Sequence, residues 1–288
     1  MSLGERDPHT GVHTTGHEWS GITELDNPVP LVVMLSFALT LAIALLMWIL
    51  YPAWPLFTTY SPGVLGWSQQ KKLESQLEDV ARENGVWVDR ITAMDLTSIT
   101  KDAELREFAL RRGARLFGDN CSGCHGQVGQ GGPGYPNLTD EHWIWGGALE
   151  QIHETIRVGI NASHDETRIS EMPAFGKDEV LERPDIEAVV NYVRSLSDLQ
   201  STKDQGIARG RKLYAENCAD CHGENARGNA EVGAPNLTDS VWIYGSGRGA
   251  VFESVFNGRQ GHMPHWSDRL DPVRMKVLAI YVSSLGGK

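Results

Sequence analysis

The sequence predicts a mainly α chain in which one N-terminal transmembrane helix is followed by two tandem, homologous domains. Three observations carry that expectation: an uncharged apolar run from Leu31 to Leu50, a set of segments recurring at an offset near 97 residues, and apolar residues at helical spacing around both. At 288 residues the chain is long enough for two ordinary domains and an anchor. Hydrophobic residues make up 41% and charged residues 22%, a globular balance. The net charge of −11 excludes a basic nucleic-acid footprint. From residue 203 onward 11 basic residues meet 9 acidic ones, so the negative charge lies earlier in the chain. Such an acidic stretch is either a solvated face or a means of steering a basic protein partner.

Residues 1–27 read as a flexible cytoplasmic tail. His9, His13 and His17 recur at i, i+4, but Gly11, Gly16 and the Thr14–Thr15 pair oppose the helix that would make them a metal site. The transmembrane segment occupies 28–55. Its core, LVVMLSFALTLAIALLMWIL, spans about 30 Å as a helix, matching a bilayer core of roughly 30 Å. Pro28 and Pro30 suit the helix entrance, and Trp48, Tyr51 and Trp54 suit an interfacial exit. A cleaved signal peptide would begin basic and carry a shorter apolar core, whereas Arg6 is the one basic residue before this run. Residues 56–100 form a linker with a short helix at 68–83, where Leu73, Leu77 and Val80 share a face.

Beyond the linker the chain repeats itself. Gly113-x-x-x-Phe117 answers to Gly210-x-x-x-Tyr214, and Cys121-x-x-Cys124-His125-Gly126 answers to Cys218-x-x-Cys221-His222-Gly223. Pro136-Asn-Leu-Thr-Asp140 answers to Pro235-Asn-Leu-Thr-Asp239, with Trp143 and Trp242 in step. Met172-Pro173 matches Met263-Pro264, and Tyr192-Val-Arg-Ser-Leu196 matches Tyr281-Val-Ser-Ser-Leu285. The offset falls from 99 to 91 between the third and fourth of these pairs, which places an eight-residue insertion in or near Asn161–Glu171. The repeats set domain boundaries at 101–199 and 203–288.

Cys-x-x-Cys-His is the attachment signal for a c-type haem. Two thiols at this spacing each add to a vinyl group of one porphyrin, and the next residue is delivered beneath the ring as an axial iron ligand. A thioredoxin-like pair needs no histidine, and a zinc site needs four ligands as a set. All four cysteines fall in the two motifs. The chain is therefore expected to hold two covalent haems c, in class I-like cytochrome c domains, with His125 and His222 as ligands. For the sixth position Met172 and Met263 stand out. Each precedes a proline, and Met172 is the only methionine between residues 95 and 262. Met275 lies in a helical pattern and reads as core, while His262 and His265 flank Met263 as alternative ligands. His/Met ligation leaves no open coordination position and favours electron transfer over bond chemistry. The carbonyls of Pro136 and Pro235 suit the imidazole N–H groups, and the indoles of Trp143 and Trp242 suit haem propionates or plain packing. Covalent attachment by such motifs happens outside the bacterial cytoplasm, so the N-terminus is cytoplasmic and both haem domains are periplasmic.

Taken together, these features resemble the dihaem subunit, CcoP or FixP, of the C-family (cbb-type) haem–copper cytochrome c oxidases. The most specific elements lie outside the haem motifs: Thr15-Gly-His-Glu-Trp19, Glu24-Leu25-Asp-Asn-Pro28, Tyr51-Pro-Ala-Trp-Pro55, Ala93-Met-Asp-Leu96 and Gly233-Ala-Pro-Asn-Leu-Thr-Asp239. One departure is that Pro30 leads straight into Leu31-Val32-Val33, where the family often carries an aromatic or basic cluster. The resemblance implies a single-pass protein of the bacterial inner membrane, without chemistry of its own. It would pass electrons from a cytochrome c donor, through a monohaem cytochrome subunit, to a haem–copper catalytic subunit that reduces oxygen. It also implies that each methionine serves the other domain's haem, although the loop lengths allow either pairing. The competing readings are a free-standing membrane-anchored dihaem relay, a dihaem peroxidase and a gas sensor.

Overall fold

Residues 4–197 and 206–286 are described by a computed structural model; the expected junction between the two repeats, at 200–202, lies outside the described residues. In chain order the elements are β1 (Thr14–Trp19), β2 (Ile22–Leu25), α1 (Leu31–Leu50), α2 (Gln69–Ala93), α3 (Leu96–Lys101), α4 (Ala103–Asn120), α5 (Ser122–His125), α6 (Leu149–Val158), α7 (Arg183–Leu196), α8 (Ile207–Asn217), α9 (Ala219–His222), α10 (Arg248–Asn257) and α11 (Pro272–Leu285). The chain divides into two units, Met1–Glu83 and Asn84–Lys288.

In the first unit, the stretch expected to be a flexible tail contains an antiparallel hairpin of β1 and β2, with Trp19 opposite Ile22. Ser20 and Gly21 between them have φ of 55° and 89°, the left-handed pair that a two-residue hairpin turn requires. Thr15 Oγ1 donates to Glu24 Oε2 across the strands at 3.1 Å. Next comes α1, whose mean hydropathy is 2.6 over an 18-residue window and whose residues are all unburied by protein. Its two hydroxyls stay paired within the helix: Ser36 donates to the Val33 carbonyl and Thr40 to the Phe37 carbonyl, each at 2.9 Å. A helix that satisfies its own polar groups is the form a bilayer tolerates. At its end Trp48 and Trp54 meet edge to face at 4.8 Å, and Tyr51 meets Trp67 at 5.8 Å.

Helix α2 continues to Ala93, ten residues past the expected end at 83. Gly85 weakens that stretch by propensity, and tertiary packing holds it instead. Ile91 is fully buried against Leu105, Phe108 and Ile280. The Arg90 guanidinium pairs with Asp102 at 2.6 Å and lies 5.3 Å from the Trp87 ring. Lys276 Nζ donates to the carbonyls of Ile91, Thr92 and Met94 at 3.0, 3.3 and 2.6 Å, so a side chain of α11 terminates α2. Lys276→Met removes these charge-assisted bonds and should cost about 1.5–3 kcal/mol. Hydrogen exchange across Val88–Ala93 checks this, and unchanged protection there would refute it.

Capping follows the sequence in the second unit. Asp95, Asp102 and Asp271 accept the first free amides of α3, α4 and α11. Helix packing does not follow the order of the repeats. Helix α4 of the first copy packs on α11 of the second, and α11 also packs on α6; α7 of the first copy packs on α8 and α10 of the second. The cores show the same exchange. Phe117, Ile152 and Ile156 share one cluster with Leu278, Ala279 and Val282. Ile186, Val190 and Tyr192 share another with Tyr214, Val251 and Val255. Gly113 and Gly210 permit close helix crossings. A Cβ on Gly113 would overlap Tyr281, and one on Gly210 would overlap the Ala188 carbonyl. The aromatic residue one turn on completes each notch, Phe117 with Tyr281 at 5.6 Å and Tyr192 with Tyr214 at 5.4 Å.

Candidate functional site

Each Cys-x-x-Cys-His motif forms one tight helical turn directly after a long helix. Cys121 ends α4, and its carbonyl accepts the amide of His125 at 2.9 Å; Cys218 ends α8, and its carbonyl accepts the amide of His222 at the same distance. One turn thus carries two thiols and an imidazole at fixed separation. None of the four cysteines is in a disulfide; Cys124 and Cys221 are exposed, Cys121 and Cys218 half-buried. Burial, reinforced by the neighbouring thiol, pushes the free thiols of Cys121 and Cys218 up to about 11.

Both histidines are oriented through the far nitrogen. His125 Nδ1 donates to the Pro136 carbonyl at 3.1 Å, and His222 Nδ1 donates to the Pro235 carbonyl at 3.0 Å. That bond selects the tautomer with a free Nε2 lone pair, as a metal-ligating histidine requires. Burial lowers the pKa of both rings, which keeps them neutral.

The methionine loops are clamped by the opposite repeat. Met263 exchanges two backbone bonds with Ile160, at 2.9 and 3.0 Å, and Met172 exchanges two with Arg259, at 2.8 and 3.0 Å. Gly159 and Gly258, which end α6 and α10 with φ of 69° and 70°, make room for these pairings. A Cβ on Gly159 would lie 2.6 Å from the His265 amide nitrogen, and one on Gly258 would overlap the Met172 carbonyl. Between the clamps the two crossing strands are knitted by Asn161, whose Nδ2 donates to the Ser170 carbonyl at 2.8 Å and the Gly261 carbonyl at 2.6 Å. Consequently Met263 packs on the cluster that contains Phe117 and Cys121, and Met172 packs on the one with Tyr214 and Cys218. Of the alternative ligands, His262 engages the Asn161 carbonyl through Nδ1, and His265 engages Ser267 Oγ. Met275 is buried in the core, as its helical position suggests.

These groups line one continuous cavity of about 890 Å³ that includes all four cysteines, both histidines and both methionines. A smaller cavity of about 110 Å³ adjoins it, bounded by Cys121, His125, Met263 and Trp266 but not by Met172. The donor set of imidazole nitrogen and thioether sulfur suits a low-spin haem iron. A second observation also fits the cofactor: Trp242 Nε1 is buried in the cavity wall with no hydrogen-bond partner, a donor suited to a propionate oxygen. Trp143 lines the same cavity. The sequence motifs point to the four cysteines, both histidines, Met172, Met263, Trp143 and Trp242, but not to Trp266, Ile160 or Arg259. The clamping glycines and Asn161 carry no motif, and they become visible only through their contacts.

Comparison with known proteins gives a consistent picture. The family described as N-terminal domain of cytochrome oxidase-cbb3, FixP, matches residues 11–58. The family described as Cytochrome C oxidase, cbb3-type, subunit III, matches residues 108–193 and 205–282. A cbb3-type cytochrome c oxidase subunit FixP of Bradyrhizobium sp. (strain ORS 278) is 45% identical over 283 residues, covering 98% of each chain. A CcoP subunit of Azospirillum sp. (strain B510) is 42% identical, covering 100% of this chain and 99% of its own. One from Cereibacter sphaeroides is 43% identical over 95% of this chain and 94% of its own.

Proposed function

The chain belongs to the family of cbb3-type cytochrome c oxidase subunit III, and from that footing we propose that it carries electrons from a cytochrome c donor toward the oxygen-reducing subunit of such an oxidase. Cytochrome c domains imply covalent haem c. In this reading there are two, one tethered at Cys121 and Cys124 and one at Cys218 and Cys221. When bound, each supplies an iron that gains and loses one electron. The protein's part is to hold that iron closed. His125 with Met263 would fill the axial positions of the first, and His222 with Met172 those of the second. The observation that carries the reading is the double clamp that sets each methionine loop against the opposite repeat, which supports a thioether as sixth ligand there.

The repeats at 101–199 and 203–288 are then units of duplication, while each haem module draws helices from both. Residues from 168 to 259 supply α7 to α10 and Met172 for the second module. The first module is completed by α11 and Met263. Helix α1 anchors the chain in the bacterial inner membrane, with the N-terminus cytoplasmic and both modules periplasmic, where covalent attachment takes place. A monohaem cytochrome subunit and the haem–copper catalytic subunit are the partners through which the electrons continue.

Mass spectrometry of the native membrane complex tests this. Two haems on this chain and co-purification with a haem–copper subunit are expected. A chain that carries two haems but never co-purifies with an oxidase would instead be a free-standing relay, and one binding carbon monoxide stoichiometrically in the wild type would overturn the closed coordination.

A further inference from the structure

Trp145 and Tyr244 hold equivalent positions in the two copies, 99 residues apart, and so do Gly134 and Gly233. The structure crosses these pairs. Trp145 is 9% exposed, and its ring lies on the backbone of Gly233, where a Cβ would sit 2.7 Å from Cε2 and 2.8 Å from Cη2. Gly233 has a φ of 64°, so both its conformation and its contact call for the missing side chain. Two further groups of the first copy hold this spot. Arg168 places its guanidinium 4.9 Å from the Trp145 ring centre, and Ser170 Oγ donates to the Gly233 carbonyl at 3.3 Å. Arg168 lies in the insertion. Its counterpart in the second copy is Arg259, 4.2 Å from the Tyr244 ring, at a position where the first copy has Ile160. The inserted loop thus places a cation on the first copy's aromatic ring, as Arg259 does on the second's.

What Trp145 touches gives the contact its meaning. Gly233 lies two residues before Pro235, whose carbonyl accepts the His222 N–H. Trp145 itself lines the small cavity beside Cys121 and His125, as well as the large one. A side chain of the first haem site therefore presses on the segment that orients the ligand histidine of the second. The reciprocal contact exists and is looser. Gly134 donates its amide to the Ile243 carbonyl at 2.9 Å, but Tyr244 is 36% exposed, and its ring would lie 3.8 Å from a Cβ on Gly134. Gly134 in turn precedes Pro136, the acceptor of the His125 N–H, by two residues.

We propose that Trp145 is a positioning residue for the second haem site, holding the Pro235 carbonyl on His222 and so setting that haem's reduction potential from within the first site; Tyr244 does the same in reverse, more weakly. A firm N–H···O=C bond makes the imidazole a stronger donor and favours the oxidised iron, so loosening it raises the potential. The inference rests on the reading that each motif holds a haem.

The test is a redox titration of the full-length, haem-loaded chain, with the two midpoints assigned from single-motif cysteine knockouts. Trp145→Leu should raise the midpoint of the haem at Cys218 and Cys221 by roughly threefold to tenfold in its one-electron equilibrium, tenfold being about 59 mV. The haem at Cys121 and Cys124 should shift less, and Trp145→Phe should restore most of the wild-type value. An unmoved second midpoint, or equal movement of both, overturns the proposal. If Trp145→Leu fails to load two haems, Tyr244→Leu takes its place and should raise the first midpoint by a smaller factor; no movement there also overturns it. Haem content separates the two levels. A wild type lacking two haems defeats the underlying reading, whereas a two-haem wild type whose variants titrate unchanged defeats only this inference.

Discussion

Replacing Met172 with alanine should open the haem proposed at Cys218 and Cys221, and replacing Met263 should open the one proposed at Cys121 and Cys124. This is the reverse of what the order of the motifs along the chain suggests. The reason lies in the backbone clamps: Met172 is bonded to Arg259 of the second copy, and Met263 to Ile160 of the first. Losing the thioether would leave the iron one ligand short, lower its reduction potential and admit external ligands. Carbon monoxide should then bind the reduced variant at one equivalent per chain. Cys124→Ser or Cys221→Ser in the same background identifies which haem responds. An opened haem attached to the methionine's own repeat would refute the crossed ligation, and an unchanged spectrum in both variants would refute the methionine assignment itself.

The same exchange makes a prediction about stability. Leu278 on α11 is 1% exposed and packs with Phe117, Ile152 and Ile156, all from the first copy. Leu278→Ala should cost about 2–5 kcal/mol, the range for a leucine removed from a core that relaxes only in part. The loss should appear as faster hydrogen exchange in α4 and α6, with α8 and α10 remaining protected, since local stability follows packing rather than chain order. Val190→Ala on α7 gives the converse pattern, smaller because fewer atoms are removed: Val190 is fully buried and packs with Tyr214 and Val251 of the second copy. If Leu278→Ala loosens α8 and α10 instead, the modules are not composed as described.

Much of this architecture could be read from local pattern. An uncharged run of 20 residues matches a bilayer core in length, and α1 begins and ends at Leu31 and Leu50. The carbonyls of Pro136 and Pro235 were identifiable because a ligating imidazole needs an acceptor and the repeated Pro-Asn-Leu-Thr-Asp segment offers one in each copy. Other features escaped. The hairpin at 14–25 rests on a Ser20-Gly21 turn in a stretch where glycines and threonines also read as flexibility. Helix α2 outruns its propensity because Ile91 is buried in a core cluster, Arg90 pairs with Asp102, and Lys276 of α11 bonds the carbonyls at its end. The apparent insertion at Asn161–Glu171 could be located by counting, but its role in carrying Arg168 to Trp145 depends on a contact with no signature in spacing.

The two haem motifs, the anchor and the duplication were determined by the sequence alone, since each is a matter of covalent reach, helix length or a repeated local pattern. Which core each methionine packs on, and which helix fills which glycine notch, only the tertiary structure decided. Gly113 and Gly210 offer the same notch, and Tyr281 and Tyr192 offer the same ring. When two copies present interchangeable surfaces, local chemistry favours both pairings alike. The choice then falls to long-range geometry, here the crossing strands at Ile160–Met172 and Arg259–Met263 that Asn161 ties together.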